Sequence, residues 1–127
     1  MPYIIRSLSK LGKADMIHAM IMQKEHPSYY RFIEKGENTL PEFWMDDARS
    51  RKHDMMGHIM EWFFTDVAGI TSDDGFKTVK INPELPSHIT FVECEYHSVR
   101  GKIYVKIDTE KDDIIIKHSS NMKVIPQ

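Results

Sequence analysis

Hydrophobic positions recur at helical spacing in the first half of the chain and at every second position in the second half. Ile4, Leu8 and Leu11, with Ile5 beside them, predict a short helix over Tyr3–Leu11, which Gly12 stops or bends. Ala14, Ile17, Met20 and Ile21 share one side of a second predicted helix, Ala14–Lys24. Asp15 falls in its first turn, where a negative charge suits the helix dipole, and Pro27 bars continuation. From His26 to Ser50 neither period is sustained, although Tyr29, Tyr30, Phe32, Ile33, Leu40, Phe43 and Trp44 lie there. A loop with that many rings is expected to be pinned against a neighbour rather than disordered. Met56, Met60, Phe63, Val67 and Ile70, flanked by Met55, Ile59 and Trp62, predict one long helix over Arg51–Ile70. Ser50 is its candidate cap and Gly69 its end.

Beyond the turn-rich TSDDG the period becomes two. Val79 and Ile81, then Val92, Cys94 and Tyr96, then Ile103, Val105 and Ile107 alternate with polar residues. Ile114–Ile116 and Met122–Ile125 are shorter apolar runs. Short strands joined by turns such as SVRG and TEKDD predict an antiparallel sheet with Cys94 facing a core. The fold class is therefore α+β: N-terminal helices followed by a small antiparallel β-sandwich. The first two helices have few partners within the chain and are expected to leave Ile4, Leu8, Ile17 or Ile21 uncovered, with self-association through those faces.

Composition narrows the picture mainly by exclusion. Hydrophobic residues make up 41% and charged residues 28%, with a net charge of −2, which leaves no electrostatic footprint for nucleic acid. No apolar run approaches the roughly 18 residues of a membrane span, and the N-terminal apolar stretch is too short for a secretory signal. The single cysteine, Cys94, cannot form an internal disulfide, and the compartment stays unassigned. Nine methionines read as flexible core filling rather than as a metal or cofactor box.

Candidate chemistry concentrates between Gly36 and Ile70. Glu37, Glu42, Asp46 and Asp47 stand beside Phe43 and Trp44, just before His53. Carboxylates move protons and aromatic rings pack on pyranose faces, so this pattern suits sugar cleavage. The competing reading is a packed surface loop with solvated acids. His53 and His58 are about 140° apart on a helix and do not share a face, while His58 and Glu61 alone make a poor metal site. No metal or cofactor is expected.

Gly36-Glu37-Asn38-Thr39-Leu40-Pro41-Glu42-Phe43-Trp44 resembles the G-A-T-T-x-W-E-x-W segment of bacterial α-L-rhamnosidases. His53-Asp54-Met55-Met56-Gly57-His58-Ile59-Met60-Glu61-Trp62-Phe63 resembles that family's N-H-x-x-x-G-x-x-x-E-W-[LF]. Pro27-Ser28-Tyr29, Val67-Ala68-Gly69-Ile70, Gly75-Phe76, Ile81-Asn82-Pro83 and Arg100-Gly101-Lys102-Ile103 are similar to further signposts in the same order. Pro41 stands where the family carries Trp, and Glu37 and Asn38 where it carries Ala and Thr.

The resemblance implies that residues 1–70 are the last helices of an (α/α)6 barrel and residues 71–127 a C-terminal antiparallel β-sandwich. It implies an inverting hydrolase of terminal α-L-rhamnosyl linkages. In such an enzyme one acid protonates the leaving oxygen, and a carboxylate about 6.5–9.5 Å away activates water. Glu42 would be that general base, with His53 and Trp44 holding the sugar. The general acid belongs to earlier barrel helices, so the chain alone is expected to be inactive, as a truncated product or part of a split enzyme. The alternative is a non-catalytic module that binds carbohydrate or a partner through the sheet and the aromatic loop.

Overall fold

The computed structural model describes residues 2–45, 49–50 and 54–126. The chain forms two compact units, Met1–Trp62 and Phe63–Gln127.

The first unit is helical. Helix α1 spans Pro2–Lys10, α2 Ala14–Met22 and α3 Tyr29–Glu34, and two single turns follow, α4 Asp54–Gly57 and α5 Ile59–Trp62. Helix α1 packs on α2 and α5, and α2 on α3. Ile5, Ile17, Tyr29, Phe32, Met56, Ile59 and Trp62 are buried, each worth about 1.5–3 kcal/mol when fully removed from water. Arg6 on α1 clasps Glu61 on α5 through both carboxylate oxygens, at 2.8 and 3.1 Å from Nη2. Among the four positions expected to be uncovered, Ile4 is 50% exposed, Leu8 and Ile21 are half-buried, and Ile17 is sealed at 0%. Ile17 lies on α2, which packs against both α1 and α3, and this accounts for the difference.

Two expectations about helices are corrected. The stretch from His26 to Ser50 contains α3, with Tyr29 and Phe32 one turn apart on its buried side. The long helix predicted over Arg51–Ile70 is interrupted within its described residues. His58 alone separates α4, which ends at Gly57, from α5, and His58 Nδ1 lies 2.6 Å from the Met55 carbonyl oxygen. A five-residue π-helical segment, Phe63–Val67, then widens the backbone, closed by the Ala68 N–H on the Phe63 carbonyl at 2.9 Å. Glycine, aromatic and β-branched residues in Gly57–Val67 weaken the regular helix, so packing sets the path. Ile70 itself belongs to a strand.

The second unit holds two three-stranded sheets. Strands β1 Ile70–Thr71, β2 Thr78–Ile81 and β6 Lys123–Pro126 lie in the order β1-β2-β6, and β3 Phe91–Ser98, β4 Gly101–Asp108 and β5 Asp113–His118 in the order β3-β4-β5. The second sheet is antiparallel throughout, with Cys94 opposite Val105 and Val105 opposite Ile116. The expected antiparallel pairing holds for β1-β2 and β3-β4-β5, whereas β6 runs parallel to its neighbour β2, with Val79 beside Val124. The chain leaves β5, buries Met122, and enters the other sheet through the Lys123 N–H on the Lys77 carbonyl at 2.8 Å. That crossing covers a core that one three-stranded sheet would leave half open.

The core consists of Ala68, Ile70, Val79, Ile81, Ile103, Val105, Ile107 and Met122, drawn from both sheets and from the residues just before β1 and β6. Cys94 packs against it from the side, and burial raises its thiol pKa. A neutral thiol is a poor nucleophile. Cys94 should therefore react with an alkylating reagent at pH 8 more slowly than a free cysteine peptide, and urea should abolish the difference. Equal rates in the folded chain would show that the thiol is not shielded.

Candidate active site

The loop that carries Glu42 begins at a helix end that only glycine serves well. Helix α3 closes with the Gly36 N–H on the Ile33 carbonyl and the Glu37 N–H on the Phe32 carbonyl, both at 2.9 Å. Gly36 sits at φ +74° with open space around it, so the requirement is conformational rather than steric. Further on, the Glu42 N–H donates to the Ser50 carbonyl at 2.9 Å and ties the two sides of the loop together.

Side chains then alternate along the loop. Glu42 and Trp44 are partly buried, and Phe43 between them is exposed. The Glu42 side chain keeps 21% of its surface accessible, and the well-exposed Arg49 guanidinium is 3.9 Å from its Oε1. A pair at that distance in solvent is weak and easily screened. The carboxylate is thus carried on a tied backbone and reachable from solvent.

Trp44 is anchored by rings. It stacks on Phe32 with centroids 5.6 Å apart and planes 7° from parallel, and meets Tyr29 edge-on at 5.0 Å. Each such aromatic pair contributes about 0.5–1.5 kcal/mol beyond its buried area. One face of the indole is therefore occupied by Phe32. Tyr29 joins the loop to α4 by donating its hydroxyl to the Met56 carbonyl at 3.1 Å. In the sequence Tyr29 and Phe32 lie in a stretch without a sustained period. Their i, i+3 spacing was the available sign of a helical face.

Trp44 is thus packed against α3, and Glu42 stands two residues before it, tied to Ser50. His53 lies outside the described residues, as do Asp46 and Asp47. Glu61 is engaged by Arg6 and the His58 ring by the Met55 carbonyl. Among the described residues no group of three or more His, Cys, Asp or Glu could hold a metal ion. No helix among them is long and apolar enough to cross a membrane.

Tyr29 offers a direct test of this anchoring. Burial pushes its pKa up to about 12, so the folded state retains a proton that the unfolded state loses near pH 10. The stability contributed is present below pH 10 and lost as pH rises towards 12. Tyr29→Phe should cost about 1–3 kcal/mol at pH 7, because the buried Met56 carbonyl loses its donor. It should also flatten the stability loss between pH 10 and 12. Urea titrations of both chains across that range check the pair of effects.

Comparison with known proteins covers nearly the whole chain. Residues 1–67 match the family described as the bacterial alpha-L-rhamnosidase 6 hairpin glycosidase domain, and residues 69–118 the bacterial alpha-L-rhamnosidase C-terminal domain. An alpha-L-rhamnosidase of Formosa agariphila is 33% identical over 110 residues, covering 80% of this chain and 12% of its own length. One from an Alteromonas species is 26% identical over 115 residues, covering 82% of this chain and 12% of its own. The crystal structure of Streptomyces avermitilis alpha-L-rhamnosidase complexed with L-rhamnose superposes with a TM-score of 0.84 at 22% identity, over 98% of this chain and 13% of that one. The alpha-L-rhamnosidase of Dictyoglumus thermophilum gives 0.83 at 21% identity, over 98% and 15%. The chain spans about 12% of the length of the curated relatives it matches. With both of its parts matched in order, this chain belongs to the bacterial α-L-rhamnosidase family of glycoside hydrolases.

Proposed function

We propose that this chain is the C-terminal part of an α-L-rhamnosidase-like inverting glycoside hydrolase and that Glu42 is the general base. Residues 1–70 form the last helices of the (α/α)6 barrel, and residues 71–127 its C-terminal sandwich. The observation that carries this reading is the pose of Glu42: backbone tied to Ser50, carboxylate still accessible, beside an aromatic cluster built from Tyr29, Phe32 and Trp44. Water activated there attacks the anomeric carbon from the face opposite the leaving group. His53 and Trp44 hold a terminal α-L-rhamnosyl unit. The proton for the leaving oxygen comes from helices outside this sequence.

The exposed Tyr3, Ile4, Leu11 and Met16 support the same reading, because helices facing further barrel helices carry apolar side chains there. Alone, the chain should self-associate through them and should not cleave an aryl α-L-rhamnoside. Sedimentation velocity and a chromogenic assay check both.

The deciding experiment grafts residues 1–127 into a full-length relative and replaces Glu42 by Gln. Azide should restore turnover of a substrate with a good leaving group and yield the β-rhamnosyl azide. Full activity of the Gln variant without azide would make the loop structural only.

A further inference from the structure

The outer face of the β3-β4-β5 sheet carries a second arrangement of charge and aromatic surface, wholly within residues 63–127. A concavity of about 390 Å³ opens there, lined by Glu95, Lys102, Tyr104, Lys117, His118 and Ser119. Its size lies within the ~300–1,000 Å³ of small-molecule sites. The pairing of β4 with its neighbours sets Tyr104 between Glu95 and Lys117.

The charges inside are unequally matched. Glu95 already accepts from Lys102 Nζ at 3.1 Å and lies 2.6 Å from His97 Nε2. These partners keep its carboxyl below the usual carboxylate range, so it stays ionised and largely neutralised. Lys117 has no carboxylate within ion-pair reach among the described residues. Its Nζ sits 5.6 Å from the centroid of the Tyr104 ring. The Tyr104 hydroxyl is committed to Glu93 at 2.9 Å, which steadies the ring as a wall. His118 Nδ1 faces the Ser119 carbonyl at 3.0 Å, and the residue lines the concavity.

An ammonium over an aromatic ring, with no carboxylate partner among the described residues and with imidazole, hydroxyl and carboxylate groups around it, fits a pyranose that bears one carboxylate. We propose that this concavity binds a uronate unit of a saccharide, with its carboxylate on Lys117 and its C–H face on the Tyr104 ring. Glu95 accepts a sugar hydroxyl there and disfavours a compact dianion such as phosphate. The wall would be wasted on an inorganic anion, and the unpaired lysine on a neutral sugar. The inference does not depend on Glu42 being a base, since the two sites share no residue.

The test is amide-resolved NMR titration of the 127-residue chain with methyl glucuronide, methyl glucoside and inorganic phosphate. Glucuronide should give saturable shifts at Tyr104, Lys117, His118 and Ser119, and glucoside, which carries a hydroxymethyl group in place of the carboxylate, should bind at least about fivefold more weakly. Lys117→Gln should weaken glucuronide by a similar factor, and Tyr104→Leu should weaken both sugars. Both substitutions lie on the outer face, and Lys117→Gln alone decides the charge term should Tyr104→Leu disturb the sheet. Equal binding of glucoside, or no saturable shift with glucuronide, overturns the proposal. So does phosphate binding as tightly as glucuronide with Tyr104→Leu without effect, which would mark a simple anion site.

Discussion

Glu42→Gln in a full-length chimera should lower turnover by at least ~10²–10⁴, the range supplied by a positioned general base. The substitution keeps shape and hydrogen-bonding capacity but removes the ability to take a proton from water. The backbone bond from Glu42 to Ser50 does not involve the side chain, so the loop should keep its closure. Loss of folding is therefore a poor explanation for lost rate, and an unchanged unfolding midpoint would establish that separation. Arg49 should matter far less, because its guanidinium is exposed and 3.9 Å away. His53→Ala should weaken transition-state binding by roughly 1–3 kcal/mol if it leaves a buried sugar hydroxyl unpaired. A Gln variant as fast as its parent, measured with a good leaving group so that acid assistance is not limiting, would remove Glu42 from the mechanism.

Gly69→Ala should be among the most damaging single changes to the sandwich, at roughly 2–5 kcal/mol. Two causes add. Gly69 adopts φ +72°, a region an alanine occupies only with strain. A Cβ there would also lie 2.3 Å from the Asn82 carbonyl carbon and from the Pro83 nitrogen. Those are backbone atoms in a segment held by the Asn82 N–H on the Gly69 carbonyl at 3.0 Å, so relief would require β1 and β2 to part. Gly75, also at positive φ but in open space, is the natural control, and Gly75→Ala should show only the conformational part. Urea midpoints of the two variants measure the difference. Equal midpoints would show that the Asn82–Pro83 backbone yields more readily than its hydrogen bond suggests.

The parts of the fold legible in the residues were those that local chemistry settles. Ile103, Val105 and Ile107 alternate with Lys102, Tyr104 and Lys106 because a sheet buried on one face must do so, and they form the centre of the core. Gly12 punctuates because its positive φ suits it to a helix end. The TEKDD turn holds because Asp108 binds the Lys111 N–H and ammonium three residues on. Glu42 was identifiable as a candidate by its aromatic company and by family resemblance.

Tertiary structure decided the rest. The apolar spacing through Met56, Met60, Phe63, Val67 and Ile70 suits a continuous helix, yet the backbone breaks at Gly57–His58, widens at Phe63–Val67 and turns into β1. Spacing states which side chains seek burial, not which surface buries them, and Ile70 found its place opposite Ile81 in a sheet. The parallel pairing of β6 with β2 had no local sign, because a strand's sequence does not encode which distant edge it will meet. The same holds for Trp44: its sequence marked a ring near a carboxylate, and only packing placed Phe32 across one of its faces. Hydrophobic period is a property of neighbours along the chain, whereas register, strand partners and the free face of a ring depend on contacts between residues far apart in sequence.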